Sequence, residues 1–196
     1  RVMGPTHKLR WSYACAKAVD ECLAQAYWEQ QQLPVTVVRC FNTCGPRQSG
    51  AYGMVIPSMV LRALRNEPIL VYGDGKQSRC FSAVSDVVRG ALLLADSKDT
   101  VGQIINIGTD EEITVAQLAE RVREKCGSAS AIEFVPYEQI YGRSFEDMRR
   151  RVPDLTKIRR FVGYSPEVGL DALLESVIRD TCEQMGRPVP VGITGV

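Results

Sequence analysis

Apolar residues recur along this chain at two spacings, one helical and one short and unbroken, and the changeovers mark its elements. Over residues 12–32 the helical spacing runs through Ala14, Cys15, Ala18, Val19, Cys22, Leu23, Ala26 and Tyr27, with Ser12 placed as an N-cap. Pro34 ends that pattern, and the run V-T-V-V-R-C-F after it suits a buried parallel strand. Residues 42–53, N-T-C-G-P-R-Q-S-G-A-Y-G, carry turn chemistry. A helix is expected over 57–65, a strand over 69–72 and a turn at G-D-G-K-Q. Residues 83–95 predict a helix, because Val84, Val87, Val88, Ala91, Leu92 and Ala95 share a face. A strand over 104–107 ends at Gly108, and Thr114 caps an amphipathic helix that Gly127 closes. I-E-F-V-P is a further strand, and the polar stretch 139–151 predicts a loop. A short helix over 154–161 with Gly163 past its end, a long helix over 170–185 and a loose tail complete the chain. Strands alternating with helices define an α/β fold class.

Composition changes this picture little. The chain has 196 residues, enough for one sizeable core, with 45% hydrophobic and 24% charged residues. Its net charge of +1 points to neither nucleic acid nor an acidic membrane surface. No stretch approaches the ~20 apolar residues of a membrane helix. The 7 cysteines are scattered without a Cys-x-x-Cys, and His7 stands alone, so no zinc ligand set is evident. Buried free thiols in a reducing cytosol are expected, which makes the protein cytoplasmic. The opening R-V-M-G-P-T-H-K-L-R has no signal-peptide character and reads as the middle of a longer sequence.

The candidate chemistry begins with Tyr13 and Lys17, four residues apart and so on one helix face. A phenol titrates near ~10 and is a poor base at neutral pH; a neighbouring ammonium favours its phenolate form. Such a pair suits proton exchange with a hydroxyl. Alone, a tyrosine and a lysine at this spacing are also what any surface helix carries. Three later motifs give the pair a context: R-C-F-N-T-C-G-P-R-Q over 39–48, V-Y-G-D-G-K-Q-S-R-C-F-S-A-V-S-D-V over 71–87, and R-R-V-P-D-L-T-K-I over 150–158.

With these four motifs in order, nearly the whole chain resembles the extended short-chain dehydrogenases, the NAD-dependent nucleotide-sugar epimerases, dehydratases and decarboxylases. The resemblance implies a partial Rossmann-type doubly wound parallel sheet plus a smaller α/β substrate-binding domain. Residues 1–50 would be the carboxy-terminal part of the NAD-binding domain. Residues 51–196 would form mainly the substrate domain, with about 83–108 returning to the Rossmann part. Tyr13 matches the acid/base, and Lys17 the lysine that also holds the nicotinamide ribose. Thr43 matches a neighbour of the nicotinamide. Asn42 matches a substrate ligand, although an Asn at a strand end also tolerates unusual turn geometry.

Arg79 matches the arginine that pairs with the diphosphate, a task its fork suits. Arg151 and Asp154 match a second diphosphate arginine and a carboxylate near the nucleotide ribose, while Arg149 and Arg150 read as a solvated basic run. Residues 52–57, Y-G-M-V-I-P, resemble the stretch along the nucleotide base. Cys80 and Ser85 depart from common acidic residues of the family at positions that read as structural.

The implied reaction oxidises the sugar at C4 and passes through a 4-keto sugar. From there an epimer, loss of water from C6, or loss of a C6 carboxylate can follow. A non-catalytic nucleotide-sugar-binding or dimerisation remnant is the remaining alternative, because no G-x-G-x-x-G or G-x-x-G-x-x-G follows any strand. A nucleotide-diphosphate sugar is the implied ligand and a homodimer the implied assembly. No metal, nucleic acid or membrane partner is expected. The V-T-V-V-R-C-F strand is expected to have an open edge, with apolar surface beside it.

Overall fold

The computed structural model describes Gly4 and residues 10–49, 54–141 and 147–193. Parts of the turn over 42–53 and of the stretch 139–151 lie outside the described residues, as does the segment linking Gly4 to the first helix.

Helix α1 (Arg10–Gln31) leads through Pro34 into β1 (Val37–Cys40), followed by the short β2 (Thr43–Cys44). Helix α2 (Val55–Leu64) precedes β3 (Ile69–Tyr72), and a tight turn leads to β4 (Ser78–Cys80). That turn needs glycine: Gly73 and Gly75 hold φ of 76° and 69°. Next come β5 (Ser82–Ala83), α3 (Val84–Asp96), a 3-10 turn at Lys98–Thr100 and β6 (Ile104–Ile107). Then follow β7 (Glu112–Thr114), α4 (Val115–Lys125), β8 (Ile132–Val135), α5 (Tyr137–Tyr141), β9 (Arg150–Arg151), α6 (Thr156–Val162) and α7 (Leu170–Gln184). The Thr114 hydroxyl accepts from the Gln117 amide and the Gln117 side chain returns to the Thr114 amide, so α4 opens on a capping box. Gly163 closes α6 in the left-handed region at φ 63°.

The strands form parallel ladders between distant segments. β1 pairs with β6, Val37 opposite Ile104; β2 with β5; and β3 with β8, Ile69 opposite Ile132. β4 lies between antiparallel β7 and parallel β9, with Arg79 opposite Arg151. Two apolar cores result. The larger packs α2, α4 and α7 on β3 through residues such as Val60, Leu118, Leu174 and Ile178. The smaller packs α3 and α6 on β6 through Val87, Leu94, Ile105, Ile107, Ile158 and Tyr164.

Several expectations are corrected. Helix α3 forms where expected, yet Val84, Val88 and Leu92 are exposed and the buried face is Asp86, Val87, Gly90 and Leu94. Gly90 faces inward because the Tyr164 ring and Ile107 lie where a Cβ would stand. Helix α1 begins before Ser12, and its Val19, Leu23 and Tyr27 are exposed. Of the cysteines, four are buried, but Cys22 and Cys40 are exposed; all are free thiols. The stretch expected as loop begins with α5 and ends in β9. Among the described residues β1 has a ladder with β6 alone. Among the described residues no helix is long and apolar enough to cross a membrane, and no cluster of His, Cys, Asp or Glu could hold a metal.

Candidate active site

Four of the candidate residues meet beyond the carboxyl ends of β1 and β6, where parallel sheets present ligand sites. As β1 ends, the Phe41 amide still donates to the Ile107 carbonyl at 3.0 Å. Asn42 then turns the chain with φ 34°, and its side-chain amide donates to the Cys80 carbonyl at 2.7 Å. Both readings of Asn42 thus have a physical basis: it holds a left-handed turn, and it sits at the strand end. Thr43 pairs in register with Ser82, whose hydroxyl accepts from the Thr109 amide at 2.9 Å. Thr43 Oγ1 is buried and, among the described residues, has no hydrogen-bond partner.

Arg79 and Arg151 are register partners on β4 and β9. The Arg151 guanidinium lies 5.5 Å from the Phe41 ring centroid, which joins the arginine pair to the Asn42 turn. Arg79 is largely buried and spends its fork on protein oxygens: Ser78 and Met148 carbonyls at 2.7 and 2.8 Å, and Asp147 Oδ1 at 2.7 Å. Tyr137 Oη donates to the other Asp147 oxygen at 2.9 Å. Burial first, then Asp147, pushes the Tyr137 phenol well above its ordinary range, so it acts as a donor. Asp147 and Tyr137 were not singled out in the sequence. A lone Asp and Tyr in a polar stretch give no periodic signal.

Asp154 is placed beside this group by its carbonyl, which accepts from Asn106 at 3.0 Å. Its carboxylate accepts from the Thr156 amide at 2.9 Å and is lowered mainly by Thr156, so it satisfies the first amide of α6 from the residue before the N-cap position Leu155. Arg149 and Arg150 are exposed and paired, with Asp74 at 2.6 Å and with Glu112 at 2.9 Å.

Tyr13 and Lys17 stand apart on α1. Lys17 Nζ is 6.0 Å from the Tyr13 ring centroid, so the two share a face as the spacing requires. Tyr13 is 71% exposed. Lys17 Nζ is bonded to Asp20 at 2.8 Å, and that bond raises its pKa. Helix α1 reaches the sheet through Glu21, which accepts both arms of Arg39 on β1 at 2.8 and 2.6 Å.

Two clefts lie beside Tyr137 and Asp147, the smaller of them reaching Arg79. One of about 160 Å³ is lined by Val55, Met59, Leu70, Tyr72, Arg79 and Tyr137. The other, about 510 Å³, is lined by residues including Asp74, Phe134 and Arg149. Gln77, Tyr137 and Asp147 border both.

The sequence model of the family described as GDP-mannose 4,6 dehydratase matches residues 5–177. Over 180 residues the chain is 42% identical to the UDP-N-acetyl-alpha-D-glucosaminuronate decarboxylase of Bacillus cytotoxicus, covering 91% of this chain and 56% of that protein. The structure resembles a UDP-glucose 4-epimerase of Thermotoga maritima solved with UDP-glucose, with a TM-score of 0.79 and 30% identity, covering 88% of this chain and 54% of that one. It also resembles the dTDP-glucose 4,6-dehydratase of Streptomyces venezuelae solved with NAD and TYD bound, with a TM-score of 0.77 and 30% identity, covering 89% and 52%. The chain therefore belongs to the GDP-mannose 4,6-dehydratase family of extended short-chain dehydrogenases. It spans about half the length of the curated relatives it matches.

Proposed function

We propose that this chain is the acid/base and substrate-facing part of an NAD-dependent nucleotide-sugar enzyme, an epimerase or dehydratase working through a 4-keto sugar. The observation that carries this reading is the meeting of Asn42, Thr43, Arg79 and Arg151 beyond the strand ends. Two arginines at register-paired positions on adjacent strands suit the two charges of a diphosphate. The apolar cleft over Val55, Met59, Leu70 and Tyr72 suits a nucleoside next to it. The NAD-bound dehydratase and the UDP-glucose-bound epimerase support the same assignment of ligands.

The residues present fit the nicotinamide end of NAD. Thr43 offers a buried hydroxyl with no partner among the described residues, and Tyr13 and Lys17 offer a phenol and an ammonium to a ribose. When bound, NAD supplies the acceptor and donor of hydride. Tyr13 takes the proton of the C4 hydroxyl as that carbon is oxidised and returns it on reduction. Lys17 leaves Asp20 to hold the ribose. Arg79 and Arg151 fix the diphosphate, and Asn42 orients the sugar through its amide. Asp154 would supply a carboxylate to the nucleotide ribose.

A second reading, decarboxylation, is favoured by the 42% identity to a UDP-sugar-acid decarboxylase. A C6 carboxylate is β to the C4 ketone, so carbon dioxide can leave while the C5–C6 bonding pair stays on the sugar and delocalises into the C4 carbonyl, to be protonated afterwards.

The smaller core, which packs Val38 with Val87, Leu94, Ile105 and Ile107, supports a division in which residues 1–50 and about 83–108 belong mainly to the NAD-binding body and the remainder mainly to the substrate lobe, although Leu155, Ile158 and Tyr164 join that smaller core and Cys44 packs in the larger one. The exposed Val19, Leu23 and Tyr27 on α1 support a homodimer. Seven free thiols fit a reducing cytosol.

Incubating the full-length protein with NAD and UDP-glucose, dTDP-glucose, UDP-glucuronate or UDP-N-acetylglucosaminuronate tests the reading. Turnover of one of these, falling by about 100-fold or more in Tyr13→Phe, is expected. Carbon dioxide release from an acid substrate selects decarboxylation. Nucleotide-sugar binding with no turnover of any substrate favours the non-catalytic alternative.

A further inference from the structure

Helix α1 carries the proposed acid/base pair, yet none of residues 11–31 is buried. Its half-buried positions recur at helical spacing through Ala14, Cys15, Ala18, Glu21, Ala24 and Trp28, a stripe of mostly small side chains that gives little grip by itself and leaves specific contacts to fix the helix. The carboxyl half has one in Trp28, whose indole lies against Gly102. Nearer Tyr13, a contact to the sheet is the fork between Glu21 and Arg39. Nε donates to Oε1 at 2.8 Å and Nη2 to Oε2 at 2.6 Å. The Glu21 side chain is 13% exposed, so the pair is partly withdrawn from water.

The fork links the two halves of the site. Glu21 follows Lys17 by one helical turn and Tyr13 by two, offset by roughly 40° and 80° around the axis. Arg39 precedes Asn42 by three residues on the strand that ends at the ligand group. A two-point bond fixes rotation as well as distance, which a single-point contact does not. Any turn of α1 at Glu21 is carried about 12 Å along the helix to Tyr13.

We propose that Glu21 and Arg39 are positioning residues that aim Tyr13 and Lys17 at the ligand held beyond β1. This rests on the acid/base reading of Tyr13. The nucleotide cleft is built by α2, β3 and β4, so loss of the fork acts on the chemical step and spares binding of the nucleotide.

The test is made on the full-length protein with its NAD and its nucleotide sugar. Glu21→Gln and Arg39→Lys are each expected to lower kcat by about tenfold or more while KM for the nucleotide sugar stays within about twofold. The reversed pair Glu21→Arg/Arg39→Glu is expected to recover a substantial part of that loss. Amide hydrogen exchange over residues 11–24 is expected to accelerate in both single variants, a readout independent of turnover. Unchanged kcat in both single variants, with Tyr13→Phe inactive, overturns the inference alone. So does a reversed pair no better than the single changes. Full activity in Tyr13→Phe overturns the acid/base reading and the inference with it.

Discussion

On the proposed reading, the residue that most constrains ligand binding is Arg79, because its guanidinium already has protein partners. Ser78, Met148 and Asp147 oxygens surround it at hydrogen-bond distance. An incoming diphosphate must compete with the Asp147 carboxylate for the same fork. Two substitutions should then act in opposite directions on UDP affinity measured by titration calorimetry. Arg79→Ala should weaken it by about tenfold or more, the scale of a lost charge-assisted bond. Asp147→Asn should tighten it several-fold, since the competing charge is gone while Tyr137 keeps a partner of similar shape. Unchanged UDP binding in Arg79→Ala would remove this arginine from the ligand set. Asn42 and Thr43 stand out in the sequence because R-C-F-N-T-C-G-P-R-Q resembles a family motif, and for Asn42 a strand followed by turn residues adds a physical reason. Asp147 could not, since its importance arises only when β9 brings it back to Arg79.

Among the elements, legibility followed length and periodicity. Helices α4 and α7 show apolar residues at helical spacing and bury them, as with Leu173, Leu174, Val177 and Ile178. The two- and three-residue strands β2, β4, β5, β7 and β9 carry no such signal, since their ladders are set by partners far away in sequence. Helix α3 shows how a face can be misread. Its inward positions include a carboxylate and a glycine, so hydrophobicity points to the wrong side. Asp86 is 2% exposed and accepts from Arg89 at 2.7 Å and from the Glu167 and Val168 amides at 3.0 and 2.9 Å. It ties the start of α3 to the segment before α7. Asp86→Ala leaves two amides unsatisfied and should cost about 3 kcal/mol in denaturant unfolding. A loss below about 0.5 kcal/mol would mean that water takes over these bonds.

At the scale of the molecule, apolar side chains lie uncovered on two helices. Val19, Leu23 and Tyr27 line α1, and Val84, Val88 and Leu92 line α3. Such stripes are cohesive in water. The 196-residue chain on its own is expected to self-associate in sedimentation velocity, and Leu23→Glu with Leu92→Glu to shift it towards monomer. A monomeric parent at high concentration would contradict this.

Charge sets a limit at low pH. Arg149, Arg159 and Arg150 hold the Asp74, Asp110 and Glu112 carboxyls below their ordinary values of 3.8, 3.8 and 4.5. Depressed carboxylates contribute stability that is complete above those ordinary values and is lost as pH falls through the lower folded ones. Tm should be nearly level from pH 7 to 5 and drop below about pH 4, with the drop blunted in Arg159→Gln. A drop centred near pH 6 would implicate other groups.

The long parallel ladders bear on how the chain is made. Val37 of β1 meets Ile104, 67 residues later, and Ile69 of β3 meets Ile132, 63 residues later. On a ribosome adding ~5–20 residues each second, the first strand of each ladder must wait several seconds for its partner. During that interval β1 offers a bare β-branched edge to whatever is nearby. Synthesis rate and chaperone supply should therefore govern the yield of native protein more than equilibrium stability does.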